Sequence, residues 1–234
     1  MEQINLQEIQ SKLYEKVKAS GWGPAMVNQV MSQDFLKILQ TLLRESQDGK
    51  KFTPQIKYLF RAFEECPYDK LQVILIGQDP YPNVNVADGI AFSCSNLGVV
   101  EKSLEYMFKS IEDTVNPDYV RDPDLKRWAN QGILLLNSGL TTTLNKPGSH
   151  QLLWKQFMTE LIDHLIWNKQ DIAYVFLGKK AAEFAEMVPD NQLKLIVSHP
   201  ASAAYMKAPK WDCNDVWNKI NNYLESNGRQ QIVW

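Results

Sequence analysis

The apolar positions of this chain collect in four short runs between residues 73 and 197. Each run is four or five residues long and continuous or nearly so, and the runs span residues 73–76, 133–136, 173–177 and 193–197. Such runs are typical of strands buried on both faces, as in a parallel sheet covered by helices. They therefore predict the four strands of a parallel sheet.

Stretches with a helical spacing of apolar residues separate these runs. They lie around residues 35–45, 54–63, 102–111, 124–128, 152–167, 181–187 and 214–224. Because strands that alternate with helices form βα units with right-handed crossovers, the pattern predicts an α/β fold. The expected architecture is a three-layer α/β/α sandwich with a central four-stranded parallel sheet, in a single domain over residues 22–234.

Residues 1–21 form a separate amphipathic segment ahead of this domain. Apolar residues recur at roughly helical spacing from Ile4 to Val17, with Lys and Glu between them, and a Gly-Trp-Gly-Pro sequence ends the pattern. The segment predicts an N-terminal amphipathic helical extension. Two interpretations stay open: a helix packed on the domain, or an arm that docks a partner.

Composition narrows the class of protein. With 44% hydrophobic and 22% charged residues among 234, the chain is ordinary for a globular protein, which excludes wholesale disorder and a collagen-like chain. A general electrostatic nucleic-acid binder would be strongly basic, whereas the formal net charge here is −2. Any contact with DNA must therefore be local.

The cysteines and the N-terminal sequence bear on where the protein works. Three cysteines with no two at metal-ligand spacing argue against a disulfide framework or a zinc site and favour a reducing compartment. No signal peptide is recognisable, and no apolar run approaches the ~18–20 residues that span a membrane. We therefore expect a cytoplasmic protein without membrane contact, located in the host cytoplasm if its source is a phage or virus.

Polar residues follow the apolar runs. Gln78 and Asp79 come just after the first, Asn137 after the second and His199 after the fourth. Because the carboxyl ends of parallel strands share one edge, where ligands bind, these side chains should converge. A carboxylate, a carboxamide and an imidazole can supply charge stabilisation, two-way hydrogen bonding and a proton donor. Taken singly, each also fits an ordinary role in a turn, a helix cap or the core.

Six sequence motifs, in order, resemble those of the family 1 uracil-DNA glycosylases. They are residues 77–81 (Gly-Gln-Asp-Pro-Tyr), 87–93 (Ala-Asp-Gly-Ile-Ala-Phe-Ser), 128–137 (Trp-Ala-Asn-Gln-Gly-Ile-Leu-Leu-Leu-Asn), 149–154 (Ser-His and a later Trp), 199–200 (His-Pro) and 232–234 (Ile-Val-Trp). The resemblance runs from about Trp22 to the C-terminus and leaves the N-terminal helix as an addition.

The resemblance implies a function and a set of roles. A member of this family flips uracil out of DNA and hydrolyses its N-glycosidic bond, which leaves an abasic site for base excision repair. The implied catalytic residues are Asp79, which stabilises the cationic sugar, and His199, which donates a hydrogen bond to uracil O2. The uracil pocket would consist of Gln78, Tyr81, Phe92 and Asn137. His150 would orient Asp79 from behind, with packing or DNA contact as its alternative. No metal or other cofactor is implied.

The residues implied for DNA contact lie on turns and on a rim of lysines. They are Ser103, Ser149, Lys179, Ser202, Tyr205 and Lys207. In this family a Leu wedge fills the gap left by the flipped base, but Ala203 stands at its place and is too small. We expect Tyr205 or Met206 to substitute. For any single lysine, a solvated surface role stays the alternative.

Two departures from the family pattern also resemble poxvirus-type members, in which the glycosylase body is part of a DNA polymerase processivity complex. They are the Tyr-Pro pair at residues 81–82 and the reduced loop at residues 201–205. The rival interpretation is a replication-associated DNA- or polymerase-binding subunit with secondary or lost glycosylase activity, docked through the N-terminal helix. A third is an inactive pocket kept as a binding module. Partners implied by the resemblance are uracil-containing DNA, single- or double-stranded, and a proteinaceous inhibitor that mimics DNA.

Overall fold

The computed structural model describes residues 5–95 and 100–234, so the first four residues of the N-terminal segment lie outside it. Its helices are α1 (Leu6–Ala19), α2 (Gly23–Val30), α3 (Gln33–Gln47), α4 (Arg61–Glu65), α5 (Lys102–Thr114), α6 (Lys126–Ala129), α7 (Gln151–Asn168), α8 (Lys179–Ala182), α9 (Pro200–Tyr205) and α10 (Val216–Ser226). Its strands are β1 (Phe52–Thr53), β2 (Val73–Gly77), β3 (Ile133–Asn137), β4 (Thr142–Thr143), β5 (Ala173–Leu177) and β6 (Leu193–Val197).

The central sheet has four parallel strands in the order β3-β2-β5-β6. Its register sets Gly77 of β2 opposite Asn137 of β3, and Leu177 of β5 opposite Val197 of β6. After β3 the chain crosses to the other side of β2, so the direction of strand addition reverses there. A crevice forms at the carboxyl ends of the strands at such a reversal. The predicted α/β fold with a four-stranded parallel sheet flanked by helices is confirmed.

The four predicted strands are present, but they are not equally buried. β2, β3 and β5 are buried along their full length. β6 lies at the edge of the sheet, and Ile196 on it is 55% exposed. The expectation that the fourth run is covered on both faces is therefore wrong. The reason is its edge position, where α10 packs against the strand and Ile196 is left in solvent.

Two helices have no counterpart in the sequence prediction, and both carry a proline in the first turn. α2 begins at Gly23-Pro24 and α9 begins at Pro200. A proline there fixes a helical φ, and its missing N–H costs nothing because the first N–H groups of a helix have no partner within it. The predicted single helix over 54–63 is wrong, because a 3-10 turn at Ile56–Tyr58 and the short α4 occupy that stretch.

The N-terminal helix packs on the rest of the protein. Its residues Leu13 and Val17 are buried. Gln10 donates hydrogen bonds to the carbonyl groups of Val30, at 2.7 Å, and Ser32, at 3.0 Å, where α2 ends and α3 begins. These contacts favour a packed helix over a free docking arm. Within residues 5–95 and 100–234, no helix combines the length and the apolar character that crossing a membrane requires.

Candidate active site

The neighbouring ends of β2 and β3 form the floor of the site. Gly77 and Asn137 are opposite residues of the two strands. A Cβ atom at residue 77 would lie 2.7 Å from Asn137 Oδ1 and 2.8 Å from the ring of Phe92. Glycine leaves room for both groups, so the amide and the aromatic ring meet over this residue.

Asp79 follows two positions later and is held by three N–H donors. Its Oδ2 accepts hydrogen bonds from the backbone N–H of Gly148 at 2.6 Å and from Gln78 Nε2 at 2.9 Å. Its Oδ1 accepts one from Gln151 Nε2. The residue is half-buried. Because donors from two chain segments hold both oxygens, the carboxylate presents its negative charge in a fixed orientation.

Phe92 presents its ring from a strained backbone. Its φ is +66°, a left-handed conformation that costs a bulky residue about 1–3 kcal/mol. The buried carboxylate of Asp88 holds the loop on both sides of this position. It accepts hydrogen bonds from the Ile90 N–H at 3.1 Å and from the hydroxyls of Ser93 and Ser95, both at 2.6 Å. These bonds keep the strained conformation in place.

Arg61 balances the charge of this loop anchor. Its Nη1 lies 2.8 Å from Asp88 Oδ2, and its Nη2 lies 2.8 Å from both carboxylate oxygens of Asp124. Burial lowers the pKa of Arg61, but the charges of Asp88, Asp124 and Glu65 together raise it above its ordinary value. Separating such a pair leaves a buried charge uncompensated, which is strongly destabilising. The ion pairs therefore oppose movement of the loop that carries Phe92.

Tyr81 closes the site on the side of Phe92. Its hydroxyl donates to the Phe92 carbonyl at 3.1 Å. Burial raises the pKa of this phenol well above its ordinary value, so the hydroxyl stays a neutral donor. A cavity of about 20 Å³ is lined in part by Tyr81, Phe92 and Asn137. That is room for a single water molecule.

The Asn137 amide has no hydrogen-bond partner in the described part of the chain, although only 7% of the residue is exposed. Its two polar atoms are not among the buried side-chain atoms that lack a partner, so they reach solvent and are accessible to a ligand with matching groups. The amide offers a carbonyl acceptor next to an N–H donor. It is therefore suited to reading a ligand edge that carries a donor beside an acceptor.

His199 follows the end of β6, and its imidazole is neutral. Burial lowers the pKa of its imidazole to about 4, although the charge of Asp79 acts in the opposite direction. Its Nδ1 accepts a hydrogen bond from the Ala201 N–H at 3.1 Å, so the proton of the neutral ring sits on Nε2. Its ring centroid lies 5.4 Å from that of Phe92. A carboxylate, an amide, an aromatic ring and a neutral imidazole thus share one edge of the sheet.

A family model matches the part of the chain that builds this site. The model of the Uracil DNA glycosylase superfamily matches residues 63–221, which is more than half of the chain and includes every side chain just described except Arg61. The chain belongs to the uracil-DNA glycosylase superfamily.

Relatives and solved structures of the superfamily resemble this chain over nearly its whole length. The uracil-DNA glycosylase of Acinetobacter baylyi is 30% identical over 234 residues, which cover 99% of this chain and 98% of that protein. The enzyme of that name from Mesomycoplasma hyopneumoniae is 35% identical over 202 residues, 86% of this chain and 90% of that one.

Mimivirus structures show the same fold. The crystal structure of mimivirus uracil-DNA glycosylase has a TM-score of 0.83 at 24% identity, and covers 99% of this chain and 89% of its own. A mimivirus UNG variant in complex with UGI has a TM-score of 0.81 at 25% identity, covering 91% of this chain and 87% of that chain.

His150 does not contact Asp79 in this superfamily member. Its Nδ1 lies 2.8 Å from Thr141 Oγ1 and its Nε2 lies 2.9 Å from Glu45 Oε2. The prediction that His150 orients Asp79 is wrong, and the next residue, Gln151, makes that contact instead. Successive residues of a helix point about 100° apart, so only one of the two can face Asp79 at the start of α7.

The side chains predicted to contact DNA on the glycosylase surface differ in exposure. Lys179, Tyr205 and Lys207 are exposed, Tyr205 by 87%, and Met206 beside it by 72%. Ala203, at the place of the family's wedge, is only 3% exposed and belongs to the core. A wedge at this rim therefore has to come from the residues that follow it.

The three serines of that prediction are hydrogen-bonded within the protein or buried. Ser149 Oγ accepts a hydrogen bond from the Thr143 N–H at 2.8 Å. Ser202 Oγ donates to the His199 carbonyl at 2.7 Å. Ser103 is buried in the first turn of α5, which packs against α9. Their contact with phosphates stays a prediction.

Three residues of the candidate site have no role in the sequence prediction: Arg61, Asp88 and Gln151. Asp88 carries a local signal, since it is a carboxylate inside the largely apolar segment 86–94. The other two carry none, because what they do depends on contacts between distant segments; Gln151 and Asp79 are 72 positions apart.

Proposed function

We infer that this protein hydrolyses the N-glycosidic bond of uracil in DNA, releasing free uracil and leaving an abasic site. One observation carries the inference within the superfamily: the buried Asn137 amide, unpaired in the described residues, meets the Phe92 ring over Gly77. Asp79 and His199 stand beside them. The amide and the aromatic ring can together bind a planar base. They lie next to the charged and hydrogen-bonding groups that glycosidic cleavage requires.

Recognition of uracil follows from the chemistry of these groups. The Asn137 carbonyl would accept from uracil N3–H, while its N–H would donate to O4. Cytosine offers the reverse pattern, so it leaves buried groups unpaired, and this rejects it. Phe92 would stack on the ring. Tyr81, tied to the Phe92 carbonyl, would press against C5 and exclude the methyl group of thymine. Gln78 would complete the pocket.

Cleavage requires stabilising a cationic sugar and an anionic base. The charge of Asp79 would stabilise the oxocarbenium-like sugar. A carboxylate has about four lone-pair positions, and three N–H donors occupy three of them. The fourth would orient the attacking water. His199, neutral and with its proton on Nε2, would donate to uracil O2 as negative charge grows there.

DNA must bring the uracil to the site in an extrahelical position. With a net charge of −2, binding rests on local contacts rather than on a general basic surface. The exposed lysines Lys179 and Lys207 would face the phosphates. Tyr205 or Met206 would fill the gap in the stack, because Ala203 is buried.

The experiment is a cleavage assay on a fluorescent oligonucleotide with one uracil. Alkali after incubation with the protein breaks the strand only where an abasic site has formed. Matched oligonucleotides with thymine or cytosine in place of the uracil should stay intact. Asn137→Asp should lower the preference for uracil over cytosine, because a carboxylate accepts from the cytosine amino group. Cleavage no greater than in buffer would reject the function.

The finer placement in family 1, with poxvirus-type features, belongs to the same proposal. It is supported by the motifs at residues 77–81 and 199–200 and by the departures at residues 81–82 and 201–205. The mimivirus UNG complex with UGI makes a DNA-mimicking protein inhibitor a partner to test, with loss of cleavage as the readout. A replication partner at the N-terminal helix has less support, because Leu13 and Val17 of α1 are already buried.

A further inference from the structure

Gln151 is the first residue of α7, and its side chain reaches the Asp79 carboxylate. We propose that Gln151 is a positioning residue that holds Asp79 in the orientation required for hydrolysis. The proposal rests on the proposed function and assigns to one further residue a part in the same reaction. Gln151 acts through Asp79, since its own amide is used up by protein groups.

Both ends of the Gln151 amide are engaged, which fixes how it points. Its Nε2 donates one proton to the Gln78 carbonyl at 2.8 Å and the other to Asp79 Oδ1. Its Oε1 lies 2.9 Å from Ser138 Oγ. A flipped amide would set its oxygen against a carbonyl and a carboxylate, two acceptors, so the network allows only this orientation.

The backbone beneath Gln151 is anchored as well. The preceding residue, His150, is buried and bonded to Glu45 and Thr141. One turn further along α7, the indole N–H of Trp154 donates to the same Thr141 hydroxyl at 2.7 Å. The start of the helix is therefore rigid, and a rigid base gives the donor a defined position relative to Asp79.

Glycine at position 139 leaves space for this contact. A Cβ atom there would lie 3.1 Å from Gln151 Nε2 and 3.3 Å from Asp79 Oδ1. Both atoms of the hydrogen bond thus pack closely over the same residue. The absence of a side chain at residue 139 therefore makes room for both partners of the hydrogen bond, Gln151 and Asp79.

The contact controls one degree of freedom of Asp79. Gly148 and Gln78 both bond to Oδ2, so they anchor that oxygen but leave Oδ1 able to swing about it through combined rotations of the two side-chain torsions. Gln151 is the donor to Oδ1 within the described residues. Its removal would let the plane turn away from the sugar and from the attacking water. A misplacement of this kind slows chemistry without removing the charge.

The first test is Gln151→Leu, measured by single-turnover cleavage of the uracil oligonucleotide. We expect the rate at saturating protein to fall roughly 10- to 100-fold, with the affinity for DNA changed less than about 3-fold. The fold should tolerate the change, because the Gln78 carbonyl keeps the Gly139 N–H at 3.1 Å, and the Ser138 hydroxyl, 3.0 Å away, can donate to it once Gln151 Oε1 is gone. Gln156→Leu, an exposed glutamine of the same helix, is the matched control and should match wild type.

A double-mutant cycle separates positioning from an independent role. In an Asp79→Asn background, Gln151→Leu should change the residual rate less than about 2-fold, because the group it positions has lost its charge. Rate losses that multiply in the double variant would overturn the proposal. An inactive wild type would instead reject the proposed function, so the two failures are distinguishable.

Gln151→Glu gives a readout that a merely structural role would not move. A protonated carboxyl at this position can donate to Asp79 Oδ1 as the glutamine does, whereas a carboxylate repels it. The rate of Gln151→Glu relative to Gln151→Leu should therefore rise as the pH falls from 8 to 5. A ratio that does not change over this range contradicts the proposal, and this comparison stands even if the Asp79 variant is too slow to measure.

Discussion

The two sides of the uracil site are built differently. On the strand side, hydrogen bonds tie down the carboxylate of Asp79, the hydroxyl of Tyr81 and the loop that carries Phe92. On the α9 side, Tyr205 and Met206 are 87% and 72% exposed, and no hydrogen bond of their side chains is found in the described residues. The side proposed to perform chemistry is held by hydrogen bonds within the protein, whereas the side proposed to face DNA is exposed.

This difference separates two kinds of energy. Groups fixed before the substrate arrives need no reorganisation during the reaction, so they contribute to the chemical step. Exposed side chains gain energy only on contact with DNA and lose conformational freedom there, so they contribute to binding and base flipping. Substitutions on the strand side should therefore alter the cleavage rate or the stability of the fold. Substitutions on the α9 side should alter the rate of cleavage of duplex DNA.

The largest effect should come from Asp79→Asn. The amide keeps the size of the carboxylate but removes the charge that faces the cationic sugar, so the single-turnover rate should fall by about 10²–10³-fold. Affinity for the uracil oligonucleotide, measured by fluorescence anisotropy, should not weaken. A loss of affinity that accounts for the lost cleavage would place Asp79 with the DNA-binding groups and break the comparison.

Asp88→Ala should have the largest effect on folding. It leaves Arg61 without one of its buried partners and frees the loop around Phe92, so the free energy of unfolding should drop by about 3–5 kcal/mol. Urea denaturation measures it. Lys207→Ala, on the exposed side, is the control and should change stability by less than about 0.5 kcal/mol. Equal losses in the two variants would contradict the anchoring role of Asp88.

How far the sequence predicts this site depends on the kind of contact involved. Asp79, Asn137 and His199 could be brought together from sequence because the carboxyl ends of parallel strands share an edge, whatever the details of packing. The partners of Asp88 and Gln151 could not, because they depend on which side chains meet across separate loops. His150 shows the limit: one position along α7 decides whether a side chain faces Asp79 or Glu45.

The pH dependence should reveal the half-buried His199. Its pKa is lowered by burial to about 4 in the folded protein, against an ordinary value near 6.5 in the unfolded chain. As the pH falls from 6.5 to 4, the unfolded chain takes up this proton first, so His199 makes the protein less stable across that window. Urea unfolding at pH 7 and pH 5 measures the loss.

His199→Asn provides the control for this prediction, since its stability should decline less between pH 7 and pH 5. The same low pKa predicts that cleavage by wild type has no His199-dependent change near pH 6.5, because the imidazole is already neutral there. Imidazole NMR signals give a direct check. A His199 signal that titrates near pH 6.5 would show that the site is open to solvent, like the α9 side.

The smallest effect should come from Tyr205→Ala, and it should depend on the substrate. An exposed aromatic ring that stacks on the orphaned base stabilises only a flipped nucleotide in a duplex, since a single strand has no partner base to leave behind. Cleavage of duplex uracil DNA should therefore slow about 3- to 10-fold, while cleavage of single-stranded DNA should not change. Met206→Ala beside it tests which of the two exposed side chains acts. If both substrates respond alike to Tyr205→Ala, the ring is no wedge, and base flipping on this side has to rest on Met206 or on the backbone of α9.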